Sequence, residues 1–160
     1  MKWLERFVAE SNRIEGIPRV RQEEYDAHAA FITAGSITVK DLQTFVDVVQ
    51  PGAVLRARKG LNVRVGSHIA PPGSREITPR LEELLAFLPH STPYQNHVAY
   101  ETLHPFTDGN GRSGRALWLW QMLNVGTERD RIWAIELGFL NSFYFQTLQA
   151  TNRVKEPHNG

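Results

Sequence analysis

Apolar residues recur at helical spacing along most of the chain. Trp3, Leu4, Phe7 and Val8 start a stripe that runs on toward Ser11 and Ile14, and Gly16 and Pro18 stop it. A second helix is predicted over about 22–33. A third follows Thr38, where Thr-Val-Lys-Asp resembles a capping box and Leu42, Phe45, Val46 and Val49 form the inward stripe. Pro51-Gly52 ends it. The period then changes. From Val54 to Ser74, β-branched alternation on either side of Lys59-Gly60, closed by Pro71-Pro72-Gly73, reads as a β-hairpin. Thr78 looks like the next N-cap, with Pro79 at the first helical position and Leu81, Leu84, Leu85 and Leu88 facing inward. Further helices are expected over 93–103, through the apolar run Ala116–Leu123, and over 132–153, with the tail KEPHNG frayed. No repeat, low-complexity segment or linker interrupts this pattern. The expectation is a single, mainly α domain over 1–160 carrying one β-hairpin at 54–70.

Composition narrows the chemistry. At 160 residues and 41% hydrophobic the chain can bury one proper core. A formal net charge of +1 gives no bulk attraction for a nucleic acid or another polyanion. With no cysteine, disulfides, thiolate metal sites and cysteine nucleophiles are excluded together. Lys2, Glu5, Arg6 and Glu10 break the N-terminal segment, so it lacks a signal-peptide apolar region. No apolar run is long enough to cross a bilayer. These features predict a cytoplasmic domain without membrane or nucleic-acid partners.

The exception to ordinary core patterning is His104–Arg115, HPFTDGNGRSGR, which runs directly into ALWLWQML. Gly109 and Gly111 flank Asn110 just before a helix, where backbone N–H groups lack intrahelical partners. Such a turn can cradle an anion, reinforced by the helix dipole. Arg112 and Arg115, three apart, place two guanidinium groups beside that cradle. Paired arginines near a helix N-terminus are disfavoured by the dipole unless an anion compensates, and a polyphosphate suits them better than a lone carboxylate. Asp108 is a hard oxygen ligand for a divalent cation bridging two phosphates. His104 is the one nearby group that accepts a proton near neutral pH. Together these describe phosphoryl or nucleotidyl transfer.

The stretch matches the Fic-family motif HPFx[DE]GN[GK]RxxR at every defined position. With about nine fixed positions at about 5% usage each, chance agreement is on the order of 10⁻¹⁰. The resemblance implies a Fic-type helical domain in which 54–70 is the flap. It implies transfer of AMP from ATP, with Mg²⁺, to a Ser, Thr or Tyr hydroxyl of a target protein. By the same resemblance His104 is the base, Asp108 holds Mg²⁺, and Gly109, Asn110 and Gly111 supply the anion hole. Arg112 then holds the β/γ end, and Arg115 contacts the γ-phosphate. Gly111 together with Arg115 favours AMP transfer over the phosphorylating branch of the family, which carries Lys at that motif position and lacks the second arginine.

Two further segments take meaning from the resemblance. The flap edge, Val63, Arg64, Val65, Gly66, Ser67 and His68, would pair with an extended target segment through main-chain hydrogen bonds. Ser11-Asn12-Arg13-Ile14-Glu15-Gly16 fits [ST]xxxE[GN], the inhibitory-helix pattern of many Fic proteins, in which the glutamate pairs with the second motif arginine. Residues 1–17 then form an N-terminal inhibitory helix, with Ser11, Glu15 and Gly16 as its working positions. Competing expectations are a de-AMPylating or other phospho-group transferase using the same site, and a non-catalytic nucleotide-binding module. Self-modification and homo-oligomer formation are also compatible with the sequence.

Overall fold

The computed structural model of the chain describes residues 1–136, and its helices follow the apolar stripes. In chain order they are α1 (Lys2–Ile14), α2 (Gln22–Ile32), α3 (Val39–Val49), the strands β1 (Arg64–Val65) and β2 (His68–Ile69), α4 (Ile77–Ala86), a 3-10 turn at Leu88–His90, α5 (Pro93–Leu103), α6 (Asn110–Asn124) and α7 (Glu128–Glu136). The fold is mainly helical with one small antiparallel hairpin.

α6 is the axle. It packs against α1, α2, α3, α5 and α7, so it meets protein on nearly every side. That is why ALWLWQML carries no polar face. On one side of it lies a core of Phe31, Leu42, Phe45, Val46, Leu81, Tyr100, Phe106 and Leu117; on the other, Leu4, Phe7 and Val8 of α1 meet Leu119 and Met122. The second core fastens α1 onto the rest of the domain, which matters for the site below.

Local chemistry sets most boundaries. Thr38 and Asp41 form the expected capping box, with Asp41 N donating to Thr38 Oγ1 at 3.2 Å and Thr38 N to Asp41 Oδ2 at 2.7 Å. α1 ends in a Schellman arrangement: Ile17 N donates to Asn12 O and Gly16 N to Arg13 O, both at 3.0 Å, with Gly16 at φ +74°. Glycine is needed at position 16 because the chain turns left-handed there, and this leaves Glu15 at the tip of the helix.

Three expectations need correction. The hairpin does not turn at Lys59-Gly60. Its register pairs Val65 with His68 and Arg64 with Ile69, so the loop is Gly66-Ser67, and Leu55 instead bridges to Phe106. Gly66 at φ +57° supplies the positive φ that a two-residue hairpin loop demands, which alternation alone does not reveal. Thr78 is not a cap. α4 starts at Ile77, whose N–H donates to Ser74 O at 3.2 Å, and Pro79 sits within the first turn, where a missing N–H costs nothing. The last helix begins near Glu128, earlier than expected, because Thr127 and Asp130 form another capping box. The rest of the helix expected over 132–153, and the tail, lie outside the described residues.

No helix among the described residues is long and apolar enough to cross a membrane.

Candidate functional site

The motif residues gather where α5 ends and α6 begins. His104 closes α5 in a left-handed conformation, φ +51° and ψ +62°, the single positive-φ residue other than glycine among those described. Such a backbone costs on the order of 1–3 kcal/mol and must be held by its surroundings. His104 N donates to Tyr100 O at 2.8 Å, and His104 O accepts from Arg56 Nε at 2.7 Å.

The imidazole is half-buried, with Nδ1 3.3 Å from Glu101 O and 3.9 Å from the Glu101 carboxylate. A carbonyl only accepts, so the shared proton belongs on Nδ1, and Nε2 keeps its lone pair. Burial pushes the His104 pKa below the ordinary histidine value. The Glu101 carbonyl opposes this, the Arg56 and His68 charges add to it, and Asp108 opposes it. At neutral pH the ring is therefore uncharged. His28 and His97 are pushed to about 4 and about 3 by burial within the helix packing, so they are structural.

Beyond His104 the loop is braced by Asn110. Its Oδ1 accepts from Phe106 N at 2.9 Å and its Nδ2 donates to Phe106 O at 2.8 Å. This side chain therefore shapes the loop and leaves any anion to the backbone. Gly109, at φ +77°, is the N-cap of α6. The Asp108 side chain is exposed, and its Oδ1 accepts from Gly109 N at 2.8 Å.

The two arginines have different partners. Arg112 lies against the end of α3, donating to Val49 O and Gln50 Oε1, with Glu24 of α2 at 4.0 Å; its buried Nε has no hydrogen-bond partner. Burial pulls its pKa down while Glu15, Glu24 and Asp108 hold it up. Arg115 is turned to α1. Its Nε donates to Ser11 Oγ at 2.8 Å, and its Nη2 donates to Ser11 O at 2.9 Å and to Glu15 Oε1 at 2.6 Å.

Glu15 also stands over the glycine turn. A Cβ on Gly111 would come 2.3 Å from Glu15 Oε1 and 3.1 Å from Arg115 Nη1, so the close approach of the carboxylate to the start of α6 requires glycine there. An anion thus already occupies the mouth of the turn, and it comes from the N-terminal helix.

Three contributors escaped sequence reasoning. Asn12, buried beside Ser11, donates from Nδ2 to Glu24 Oε2 at 3.1 Å and to Arg19 O at 3.0 Å. Glu24 is itself buried and ties α1 to α2 and Arg112. The third is Arg56, which is fully buried beside the hairpin. The available signal was weak: Glu24 has Arg21 as an ordinary local partner, and Arg56 has no acidic residue near it in sequence.

The hairpin residues Arg64, Val65, Gly66, Ser67 and Ile69 are exposed, and His68 is partly covered, with Nε2 3.0 Å from Thr102 O. In a two-stranded sheet each strand keeps one unpaired edge.

For a metal, the described residues offer no group of three or more acidic, histidine or cysteine side chains. Asp108 alone suits an ion that takes its remaining ligands from phosphates and water, which is the habit of Mg²⁺.

The family model described as Fic/DOC family matches residues 36–122, more than half of the chain. That span contains α3 through most of α6, with the whole His104–Arg115 motif, and leaves α1 outside. No curated protein matches the chain.

Proposed function

The chain belongs to the Fic/DOC family, and from that premise we propose that it is an autoinhibited protein adenylyltransferase, moving AMP from Mg²⁺-ATP to a hydroxyl side chain of a target protein. The observation that carries this reading is the Glu15 carboxylate at 2.6 Å from Arg115, over Gly111. A site built to hold an anion is blocked by the protein's own anion.

In the proposed reaction the target hydroxyl approaches the α-phosphorus of ATP. Its oxygen forms the new P–O bond as the bond to the bridging oxygen of the β-phosphate breaks. Pyrophosphate leaves, and the hydroxyl proton passes to His104 Nε2, the lone pair left open by the Glu101 carbonyl. The free N–H groups at the start of α6 face the phosphates, and Arg115, released from Glu15, takes the γ-phosphate. Asp108 would hold Mg²⁺, which when bound neutralises phosphate charge. The exposed β1–β2 edge would align an extended target segment. The target and its modified residue, self-modification and a homo-oligomer are all compatible with this geometry.

The deciding experiment is incubation of a Glu15→Gly protein with α-labelled or γ-labelled ATP and Mg²⁺, followed by intact-mass measurement. Protein labelled from the α position, with a mass gain of one AMP, is the expected result. Label from the γ position would make it a phosphotransferase, and no label from either would make it a binding module. De-AMPylation, with Glu15 positioning water, would appear as loss of preformed AMP on adding wild-type protein.

Two further outcomes follow from the geometry. Asp108→Ala should weaken ATP binding by about tenfold or more in Mg²⁺ and change it little under chelation, because an exposed carboxylate touches the nucleotide only through the metal. Calorimetric titration in both conditions checks this, and equal losses would give Asp108 a structural role. The second concerns pH. With its pKa lowered, His104 stays deprotonated through the ordinary histidine range. Transfer by Glu15→Gly should therefore hold level as pH falls from neutral and decline only below the usual histidine value. A pH–rate profile with its acid limb centred above that value would contradict the assignment.

A further inference from the structure

Arg56 belongs neither to the motif nor to the hairpin strands, yet it is 0% exposed. Burial alone pushes its pKa down, and no carboxylate contributes. Its guanidinium serves four main-chain carbonyls instead. Nε donates to His104 O at 2.7 Å and Nη2 to Leu103 O at 2.9 Å; Nη1 donates to Leu61 O at 3.0 Å and Pro71 O at 2.7 Å. The first two acceptors are at the end of α5. The other two lie on the segments that enter and leave the hairpin. The Arg56 backbone N–H adds a bond to Pro105 O at 2.9 Å, and His68 Nε2 lies 3.0 Å from Thr102 O.

Thr102, Leu103 and His104 carry carbonyls that α5 itself leaves without partners. All three are taken up by the hairpin and its base. Holding His104 O in place also holds the left-handed backbone from which the imidazole projects. We propose that Arg56 is a positioning residue that fastens the hairpin and His104 into one unit, so that the docked target strand and the proton acceptor keep a fixed relative position. The catalytic half of this inference rests on the adenylyltransferase reading; the mechanical half does not. Lysine cannot substitute, because a point-like ammonium with three donors lacks the planar fork that reaches acceptors on both sides.

The test is amide hydrogen exchange on the full chain without nucleotide, comparing wild type with Arg56→Lys. Exchange is expected to rise about tenfold or more in 61–71 and in 103–107 together, while α3 amides stay unchanged. In a Glu15→Gly background, Arg56→Lys should lower kcat for AMP incorporation by about tenfold or more and leave KM for ATP within about twofold. Faster exchange in the hairpin alone, or parental exchange and kcat, overturns the proposal. If Arg56→Lys does not fold, His68→Ala is read in the same way. Exchange spreading into 102–107 supports the fastening, and exchange confined to 64–69 refutes it. Coupled exchange in a protein that never transfers AMP would sink the adenylyltransferase reading and leave the fastening intact.

Discussion

Glu15→Gly will raise AMP incorporation by about tenfold to a thousandfold, equivalent to removing a competing state favoured by about 1.4 to 4 kcal/mol. The lower end is within reach of one charge pair whose arginine is 1% exposed and whose glutamate is 38% exposed. The gain should appear mainly in turnover. With the carboxylate present, like charge repels the γ-phosphate, and ATP can bind only with its α-phosphate misaligned for attack. Glu15 is the C-cap of α1, and its backbone bond from N to Asn12 O at 2.9 Å needs no side chain, so glycine there does not unravel the helix. Arg115 keeps both bonds to Ser11, which poises it for the phosphate. The stability loss should be on the order of 1 kcal/mol, seen as a Tm lower by a few degrees. Arg115→Ala belongs beside it as the control that frees Glu15 and also removes the γ-phosphate contact; it should not activate. A folded Glu15→Gly protein with unchanged incorporation would reduce α1 to a structural helix.

His104→Ala in the Glu15→Gly background will abolish transfer, a loss of about a thousandfold or more, and leave ATP binding close to that of its parent. In the proposed reaction a general base acts in the transition state, whereas ATP would be held by the α6 turn, the arginines and Asp108 through its metal. Alanine loses the side chain but keeps the backbone bonds His104 N to Tyr100 O and Arg56 Nε to His104 O, so the loop should persist. The residual cost is the left-handed φ of +51°, which alanine tolerates less well. Calorimetry with ATP and a labelling time course separate the two effects. Near-parental labelling would remove His104 from the mechanism, and lost ATP binding would mean that the loop had collapsed.

The clustering of polar groups at His104–Arg115 was legible because it is local. A glycine turn, a carboxylate, an imidazole and two arginines within one short stretch must lie close together whatever the rest of the chain does. The helices were legible for the same reason: α3 and α5 carry their caps in sequence and their apolar faces at fixed spacing. The end of α1 was legible too, because Gly16 stops the helix just beyond Glu15.

What the sequence alone left open was which distant groups meet. The Glu15–Arg115 pair was expected only through the family resemblance; Ser11 and Glu15 reach Arg115 across about a hundred residues because Leu4, Phe7 and Val8 are buried against α6, and no local rule states that pairing. The motif is also more buried than its polar composition suggests: Asn110 and Ser113 donate to carbonyls within the motif, whereas Arg112 and Arg115 find their acceptors at the end of α3 and on α1. The hairpin turn was misplaced because alternation has a period of two and leaves the register undetermined until a positive-φ residue and a partner strand select it. Arg56 is the extreme case. Its four acceptors are main-chain carbonyls, which every residue carries, so nothing in the amino-acid sequence marks them. Side-chain chemistry is written along the chain, but the carbonyls that position it become specific only when the backbone has folded around them.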